Sequence, residues 1–259
     1  MKRMLALVAA MCVLGIVSAC DPVPPAPPLG PPAARDCSVD VTAALNAYLA
    51  SQPNGSTVTL PANACYRTQD TVLLRNRHHL TIDGNGATLR RVTLNPNRLA
   101  RHLMIQTSSD ILVKNLNIQG EKPDSVGFRA DTEAQAGIII DQSSNVEIGH
   151  VNITRVRGDF FYLSAGDMHV KIHDTNDLQA GRQGIAVNCA GDVLFYNNVV
   201  RYAHRWSVDI EPMRSTDWVD GVVIGYNRLL DPTMGFVSGA TSARVKNVTV
   251  GNNYQSWTN

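Results

Sequence analysis

The sequence predicts an all-β protein, a right-handed parallel β-helix of about seven turns with a short α-helix that caps its N-terminal end. A short repeat of apolar and polar residues, called the phrase here, recurs about every two dozen residues from residue 80 onward. A second β-type segment precedes most copies of the phrase, and a segment with helical spacing precedes them all. A solenoid of stacked turns accounts for these three observations together.

The first twenty residues are organised like an export signal. A basic start precedes an apolar run from residue 4 to 17, and two small residues then precede Cys20. This segment is too short to span a membrane comfortably, so we assign residues 1–19 to a signal peptide. Residues 17–20 also resemble the lipobox of bacterial lipoproteins, which implies acylation of Cys20 and an extracytoplasmic protein anchored to the membrane. Plain secretion with an incidental cysteine is the alternative.

Residues 20–35 are predicted to form the lipidated cysteine and a proline-rich linker. Prolines alternate with small residues in this segment, and such a chain stays extended because it lacks amide donors and apolar bulk. A lipid anchor at Cys20 calls for a spacer of this kind. Residues 36–259 are then one β-helix domain.

The composition supports a single globular domain. Of 259 residues, 44% are hydrophobic, which is enough for one sizeable core. Removing Lys2 and Arg3 from the 23 basic residues leaves 21 against 22 acidic residues, so the mature chain has almost no net charge. We therefore expect no nucleic-acid partner, and we expect a monomer.

Three cysteines follow the signal and Cys20. In an oxidising compartment Cys37 and Cys65 are the natural disulfide pair, because they flank one N-terminal unit. Cys189 is then predicted to be a buried free thiol.

The segment from Asp40 to Ala50 begins the domain with apolar residues at helical spacing. An amphipathic helix at this position would cover the open end of a solenoid, which otherwise exposes unpaired strand edges and apolar interior. We therefore predict that this helix caps the first turn.

The repeated phrase is a short apolar strand followed by a polar turn and a further apolar segment. Aligning its copies places one apolar residue of each copy in a single column: Ile82, Val113, Ile148, Ile172, Phe195, Ile224 and Val250. Asparagine tolerates tight turns and can pair with an identical neighbour in the next turn. It recurs three residues after the column, at Asn85, Asn198, Asn227 and Asn253.

A second short strand precedes the phrase from its third copy onward. These segments are rich in β-branched residues and bounded by turn-forming residues, and they cover 136–141, 159–164, 183–188, 207–211 and 235–240. A doubly wound sheet is disfavoured because helical segments do not alternate with the strands. A leucine-rich repeat is the other alternative for such a period, but its dense leucine signature is missing.

The N-terminal unit resembles the pectate-lyase-like β-helix superfamily. The resemblance rests on DVTAAL at 40–45, VTLPANACY at 58–66 and LTIDGNGA at 80–87, and it extends over about residues 38–254. The superfamily includes lyases, hydrolases and uronate epimerases, so the resemblance implies carbohydrate chemistry. The sequence departs from its better-known patterns, because it has neither a clear polygalacturonase arrangement nor the acidic cluster of a pectate lyase calcium site.

Two carboxylates in SVDIEP at 207–212 mark the candidate active site. If Val208 and Ile210 point into the core, Asp209 and Glu211 point outward on one face, roughly 7 Å apart along the strand. This spacing suits two carboxyls that act across one glycosidic bond, and their like charge should raise one pKa, as a general acid requires. Asp209 and Glu211 are the predicted acid/base pair, with His204 as the alternative proton carrier.

Stacked turns bring further polar and aromatic residues toward this pair. Arginines match the carboxylates or sulfates of an anionic sugar, and aromatic rings offer a flat surface to a sugar ring. The predicted substrate-binding residues are Arg182, Gln183, Asn188, Arg205, Arg214, Tyr162 and Trp218. The segment 213–221 departs from the short turns elsewhere and is predicted to wall a groove.

Structural interpretations compete with these roles. Asp209 and Glu211 alternatively form a solvated strand face, and Arg182 and Arg205 alternatively form an ion ladder with acids of neighbouring turns. The sequence contains no common zinc, nucleotide or nucleophile-elbow motif. No metal or cofactor is therefore predicted, and Ca²⁺ has no supporting motif.

We expect a cell-surface protein that binds an acidic polysaccharide and cleaves it, as a glycoside hydrolase or polysaccharide lyase. The groove would lie over segments 159–164, 183–188 and 207–211. The alternative is a non-catalytic module for glycan binding, adhesion or structure, whose polar face only recognises a partner.

Overall fold

A computed structural model describes residues 30–240 and 242–258 of the chain. The described residues form 24 strands and one α-helix, and the strands pair in parallel into three sheets. The sheets stack as a β-solenoid of about 8 turns, which confirms the predicted all-β class and the parallel β-helix. The predicted signal peptide at residues 1–19, Cys20 and the linker up to residue 29 lie outside the described residues.

Successive strands along the chain are distributed among three sheets, called A, B and C here. Sheet A contains β1 (Asp36–Asp40), β3 (Cys65–Arg67), β6 (Thr88–Arg90), β9 (Asn117–Gln119), β12 (Asn152–Thr154), β15 (Asn176–Leu178), β18 (Val199–Arg201), β21 (Arg228–Leu230) and β24 (Tyr254–Ser256). Sheet B contains β2 (Thr57–Thr59), β5 (His78–Asp83), β8 (Ser109–Lys114), β11 (Ser144–Gly149), β14 (Asp167–His173), β17 (Ala190–Tyr196), β20 (Val219–Gly225) and β23 (Val245–Gly251). Sheet C contains β4 (Val72–Arg75), β7 (Leu103–Gln106), β10 (Ile138–Asp141), β13 (Phe161–Ser164), β16 (Ile185–Val187), β19 (Trp206–Ile210) and β22 (Gly235–Gly239).

The predicted apolar column is one continuous row in sheet B. Each residue pairs with the next in register, in the order Ile82, Val113, Ile148, Ile172, Phe195, Ile224 and Val250. The row faces the core, and its members from Ile82 to Ile224 are buried because the following turn covers each of them. Apolar burial along this row is a main source of the stability of the solenoid.

The solenoid has one more turn than the repeated phrase indicates. Val58 in β2 pairs with Ile82, so β2 belongs to a turn that precedes the first copy of the phrase. Two strands of sheet C, β4 and β7, also precede the first two copies, where no strand was predicted. Polar flanking residues hide these short strands from a search for alternating patterns.

The turn from sheet B to sheet A explains the polar residues that follow the column. Two residues after the column, the backbone is left-handed, with φ from 53° to 59°, at Asn115, His150, Asp174, Asn197, Tyr226 and Asn252. Asparagine, aspartate and histidine tolerate this conformation better than most residues. The turns therefore recur where such residues interrupt the apolar pattern.

Three of the four recurrent asparagines form the predicted ladder. The Asn198 backbone N–H donates to Asn227 Oδ1, and the Asn227 N–H donates to Asn253 Oδ1, each at 2.9 Å. The Asn227 side-chain amide also donates to the carbonyl of Phe195 at 2.9 Å. Asn85 lies several turns away and donates to the carbonyl of Leu60 instead.

The predicted helix is α1 (Thr42–Ser51), and it packs on β4 at the N-terminal end of the solenoid. Asp40 Oδ1 accepts hydrogen bonds from the Thr42 N–H at 3.0 Å and the Thr42 hydroxyl at 2.6 Å, which fixes the start of the helix. Leu45, Tyr48 and Leu49 are buried against the first turn. The helix therefore covers the apolar interior that the first turn would otherwise expose.

The predicted disulfide is present between Cys37 in β1 and Cys65 in β3, and Cys189 is a buried free thiol. Stable disulfides are typical of proteins outside the cytoplasm. Within residues 30–240 and 242–258, no helix has the length and apolar character needed to cross a membrane.

Three loops are longer than the other turns, and they determine where a site can form. Two connect sheet A to sheet C, over residues 91–102 and 120–137, and the third follows β19 over residues 211–218. Parts of all three stand beside the outer face of sheet C. They convert that face from a flat surface into a groove.

Candidate functional site

A groove with a volume of about 570 Å³ lies on the outer face of sheet C. Strands β10 and β13 and the residue after β16 supply its floor, which contains Ile139, Asp141, Tyr162, Ser164 and Asn188. The three long loops supply its walls, from residues within 98–101, 133–136 and 213–217. The groove is thus assembled from turns that are far apart in sequence.

The parallel register of sheet C determines which side chains meet at the floor. One outward row crosses four neighbouring strands and contains Ile139, Tyr162, Ala186 and Asp209. Val208 and Ile210 pack in the core, so the alternation along the strand directs Asp209 and Glu211 outward. Both predicted carboxylates therefore lie on the same side of the sheet as the groove.

Arg182 links two carboxylates at the base of the groove. Its Nη1 donates to Asp159 Oδ2 at 2.9 Å, and its Nη2 donates to both Glu211 carboxylate oxygens at 2.7 Å. Its Nε also lies 3.7 Å from Glu133 Oε2. The Arg182 and Asp159 side chains are only 9% and 3% exposed, and that of Glu211 is 17% exposed. For Arg182 this arrangement matches the alternative interpretation, an ion ladder in which one guanidinium contacts carboxylates from different turns, but Arg205 takes no part in it.

Charge is unbalanced in this cluster, because one guanidinium is surrounded by more than one carboxylate. Burial raises the pKa of Asp159 to about 6, against the opposing effect of Arg182. Burial likewise raises the pKa of Glu211 to about 7, with further contributions from Asp159 and Asp209. Burial lowers the pKa of Arg182, but the Asp159 and Glu211 carboxylates outweigh burial and hold it above its ordinary value. The arginine is therefore charged, and the two carboxyls take up a proton at a higher pH than exposed carboxyls do.

Asp209 does not occupy the position that the predicted acid/base pair requires. Neither Asp209 nor Glu211 is among the groove-lining residues, but Glu211 contacts the groove-lining Arg182 and is 17% exposed, whereas Asp209 is only 7% exposed. Asp209 Oδ2 accepts a hydrogen bond from the Gln183 amide at 2.5 Å, and Gln183 Oε1 accepts one from the Trp206 N–H at 2.9 Å. Gln183 thus covers Asp209 from the preceding turn. Asp159, which lines the groove, is the carboxylate that shares Arg182 with Glu211.

His204, Arg205 and Trp218 lie away from the groove. His204 packs on Gly127, where an added Cβ would lie 2.5 Å from the imidazole, and it lines a different cavity. The Arg205 guanidinium lies 5.3 Å from the centre of the Phe128 ring. His204 and Arg205 belong to the turn between sheets A and C, and their side chains contact the loop 121–128 on the side of the solenoid. The predictions of His204 as a proton carrier and Arg205 as a substrate ligand do not match these positions.

Trp218 also does not line the groove. Its ring covers Gly191 in sheet B, where an added Cβ would lie 2.9 Å from the indole. The loop that carries Trp218 walls the groove through Met213, Arg214 and Asp217 instead.

Four of the predicted substrate-binding residues do line the groove: Tyr162, Arg182, Asn188 and Arg214. Asn188 Nδ2 donates to the backbone carbonyl of Glu211 at 2.8 Å, which ties the floor to the end of β19. Burial raises the pKa of Tyr162 to about 12, so its phenol stays protonated and can donate a hydrogen bond.

Several groove residues have no counterpart among the predicted site residues. They come from the first two long loops and from β10, and they are Arg98, Arg101, Glu133, Ile139 and Asp141. Asp141 accepts hydrogen bonds from the Gln106 amide and the Ser164 hydroxyl, each at 3.2 Å. The sequence contains one indication of these residues. The first three members of the apolar column are more widely spaced than the later ones, which indicates inserted loops on one side of the solenoid.

The arginines of the walls differ from Arg182 in their partners. Within the described part of the chain, Arg98, Arg101 and Arg214 have no carboxylate within 4 Å of their guanidinium nitrogens. Arg98 and Arg214 are exposed and stand on different walls of the groove. The described residues contain no group of three or more histidine, cysteine or acidic side chains arranged to hold a metal ion, and we propose no Ca²⁺ site.

No protein-family model matches the chain, and no curated protein matches it. The surface adhesin PfbA of Streptococcus pneumoniae is 14% identical at a TM-score of 0.42, with 86% of this chain and 78% of that chain covered. The Dettilon tailspike protein is 11% identical at a TM-score of 0.44, with 86% of this chain and 60% of that chain covered. An endo-xylogalacturonan hydrolase from Aspergillus tubingensis is 11% identical at a TM-score of 0.36, with 88% of this chain and 94% of that chain covered. The chain's own three parallel sheets place it among the parallel β-helix proteins.

Proposed function

We propose that the protein binds an acidic polysaccharide in the groove on sheet C. The observation that carries this proposal is the set of wall arginines without carboxylate partners, Arg98, Arg101 and Arg214. A guanidinium presents paired N–H donors that match a carboxylate or sulfate group. The floor adds Tyr162 and Ile139 as apolar surface and Asn188 as a polar contact, which is the mixture that a sugar chain requires.

The dimensions of the groove suit a polymer. Its walls extend from the turn that contains β7 to the loop after β19, which spans four steps between adjacent strands of sheet C. At about 4.8 Å per strand step, the groove is roughly 20 Å long. Arg98 and Arg214 stand on loops at opposite ends of this span, so a chain lying along the solenoid axis would place anionic groups near both.

A binding experiment tests the proposal with a matched pair of variants. Arg98→Met with Arg214→Met removes one cation from each of two walls, and we expect binding of polygalacturonate to weaken roughly tenfold. Arg90→Met with Arg228→Met removes two exposed arginines outside the groove and should bind as the wild type does. Calorimetric titration of each protein at the same salt concentration measures the difference. Equal affinity for polygalacturonate and neutral dextran, or equal weakening in both variants, would reject the proposal.

Cleavage of the bound polysaccharide is a second candidate function, and the raised pKa values of Glu211 and Asp159 favour it. The two carboxyls contact neighbouring nitrogens of one guanidinium, so they are close enough to act on one glycosidic bond. One of these two carboxyls would donate a proton to the glycosidic oxygen, and the other would act as base or nucleophile. Arg182 would have to release one of its partners for this transfer.

Product masses distinguish cleavage from binding alone. Hydrolysis adds one water to each cut bond, whereas elimination leaves an unsaturated sugar. Glu211→Gln and Asp159→Asn should each abolish product formation while the protein still binds polymer. Asp209→Asn should still form product, but its activity should fall off at a lower pH, because the charge of Asp209 helps to raise the pKa values of Asp159 and Glu211. If the wild type binds acidic polymers from a broad panel and releases no product from any, the protein is a binding module.

A further inference from the structure

A second cavity, of about 360 Å³, lies on the side of the solenoid where sheet A turns into sheet C. The loop 121–127 forms one side, and the turns at 179–180, 202–204 and 231–233 form the other. The cavity shares no lining residue with the groove. Its occupancy is therefore independent of the function proposed for the groove.

Basic residues of the turns hold this loop in place. Arg155 Nε donates to the carbonyl of Lys122 at 2.9 Å, and Arg157 forms an ion pair with Glu121. Farther along the loop, the His204 ring packs on Gly127. A loop fastened at several points to stacked strands is a rigid wall, which is what a preformed site requires.

Lys122 is the unusual residue of this cavity. It is only 5% exposed, yet its ammonium makes a single hydrogen bond among the described residues, to the carbonyl of Pro123 at 3.4 Å. No carboxylate of the described chain lies within 4 Å of it. An ammonium has three donors, and a buried cation without an anionic partner is costly. Lys122 therefore has donors to spare at the cavity wall.

The two carboxylates that line the cavity are committed to other groups. Asp124 lies 3.7 Å from Arg155 Nε, and Asp231 accepts hydrogen bonds from the backbone and hydroxyl of Thr258. Neither is within ion-pair distance of Lys122. Asp124 favours the charge of Lys122 at longer range, but burial outweighs it and lowers the pKa of Lys122, so the ammonium has no directly contacting anion among the described residues.

His204 and Tyr202 complete the cavity wall. Burial and the charge of Lys122 lower the pKa of His204, so its imidazole is neutral near neutral pH and one ring nitrogen can donate a hydrogen bond. Tyr202 is 46% exposed and presents a flat face at the rim. Gln179 and Ser125 supply further hydrogen-bonding groups.

We propose that this cavity binds a small anionic ligand, whose carboxylate or sulfate group contacts the ammonium of Lys122 and the imidazole of His204. The volume and the polar lining suit a ligand the size of one sugar acid, with its ring against Tyr202. The same anion-binding chemistry would accept a free inorganic sulfate. Separate titrations with a sugar acid and with inorganic sulfate distinguish these two ligands.

Ring resonances of His204 and Tyr202 are local reporters of binding, because neither residue lines the groove. Sodium galacturonate, sodium sulfate and neutral galactose are each titrated to about 10 mM into the isotopically labelled protein. We expect saturable shifts of both rings with galacturonate and none with galactose. Sulfate that shifts only His204 supports a site for the anionic group alone. Equal shifts with galactose, or no shift with either anion, would overturn the proposal.

A matched pair of lysine variants tests the role of Lys122. Lys122→Met keeps the aliphatic packing and removes the charge, and it should weaken galacturonate binding at least about tenfold. Lys171→Met removes an exposed lysine from the outer face of sheet B and should leave the titration unchanged. If Lys122→Met does not fold, Tyr202→Ala replaces it, because this change removes only a partly exposed ring. In Tyr202→Ala we expect weaker binding of galacturonate, measured by the shift of the His204 ring resonances. Undiminished binding in the folded lysine variant would overturn the proposal.

Discussion

Replacing Arg182 by methionine is the sharpest test of the charge cluster at the base of the groove. Methionine fills a similar volume with apolar atoms but donates no hydrogen bond. The change removes the partner of Asp159 at 2.9 Å and of both Glu211 oxygens at 2.7 Å. Two largely buried carboxyls are then left without a cation.

The size of the effect follows from the burial of all three side chains. Removing one partner of a buried ion pair costs about 3–5 kcal/mol, because the remaining charge is desolvated and uncompensated. That is a large part of the roughly 5–15 kcal/mol that stabilises a typical domain. For a domain of this size the loss corresponds to a decrease in Tm of roughly 10 °C.

The loss should depend on pH in a definite direction. Asp159 and Glu211 have folded-state pKa values of about 6 and about 7, above those of unfolded carboxyls. The folded state therefore binds more protons than the unfolded state, and the stabilisation by these groups decreases as pH rises from about 4 to about 7. Without Arg182 both pKa values rise further, so the variant keeps losing stability above pH 7. The difference between variant and wild type should thus be small near pH 4 and largest near pH 8.

Urea unfolding at about pH 5 and about pH 8 measures this difference. Arg214→Met serves as the control, since it removes an exposed arginine of the same groove and should change stability by less than about 0.5 kcal/mol. Arg182→Lys keeps a charge without the guanidinium fork and should lie between the wild type and Arg182→Met. A loss that is equal at both pH values, or no larger than that of the control, would refute the ion ladder as described.

Three further predictions concern a buried hydrogen bond, a buried carboxyl and the disulfide. Asp209→Asn keeps an acceptor for the Gln183 amide and should lower the free energy of unfolding in urea by less than about 1 kcal/mol. Asp209→Ala leaves that amide unpaired and should lower it by about 1–3 kcal/mol. Equal losses in the two variants would contradict the buried hydrogen bond. Asp177 is fully buried, and burial raises its pKa well above the ordinary value, so stability is lost as pH rises. Asp177→Asn should therefore raise Tm at neutral pH and match the wild type below about pH 4, and a gain independent of pH would count against this reasoning. Replacing Cys37 and Cys65 by serine opens a loop with a sequence separation of 28 and should cost about 3–4 kcal/mol, a loss that reductant should reproduce in the wild type.

Most of the fold follows from local patterns in the sequence, because a solenoid repeats the same contacts in every turn. The column from Ile82 to Val250 pairs in the predicted register at each step. The turns recur where asparagine or a similar residue takes the left-handed conformation. The first turn escaped notice because β2 contains only three residues, Thr57–Thr59, and the phrase is incomplete there.

The candidate site was harder to predict, because local alternation gives the side of a strand but not what covers it. Asp209 faces outward as predicted, yet Gln183 from the preceding turn encloses it. Asp177 follows a polar turn in the sequence, but its position in β15 pairs with Ile153 and Val200 and lies in the core. The burial of Asp209 and Asp177 depends on residues of neighbouring turns, which the sequence of a single strand does not show.

The long loops were the least predictable part of the site, since they have no repeat to align. Residues 98–101 and 133–136 carry no motif, and their places on the groove wall depend on how each loop folds back over sheet C. His204 and Arg205 illustrate the converse case. Their proximity in sequence to Asp209 suggested a shared site, but the change of direction before β19 turns them toward the loop 121–128.

The Arg182 cluster links the two candidate functions of the groove through its charge. More carboxylates than guanidinium groups occupy a buried space, so the cluster takes up a proton at a higher pH than exposed carboxyls do. A purely structural ladder needs only as many carboxylates as its cation can satisfy, and Asp159 with Glu211 already meets that need. Asp209 adds a negative charge that raises both of their pKa values, although Gln183 is its one side-chain partner among the described residues. In the cleavage that we propose as the second candidate function, such a surplus carboxylate would help to hold a proton on a neighbouring carboxyl for general acid catalysis.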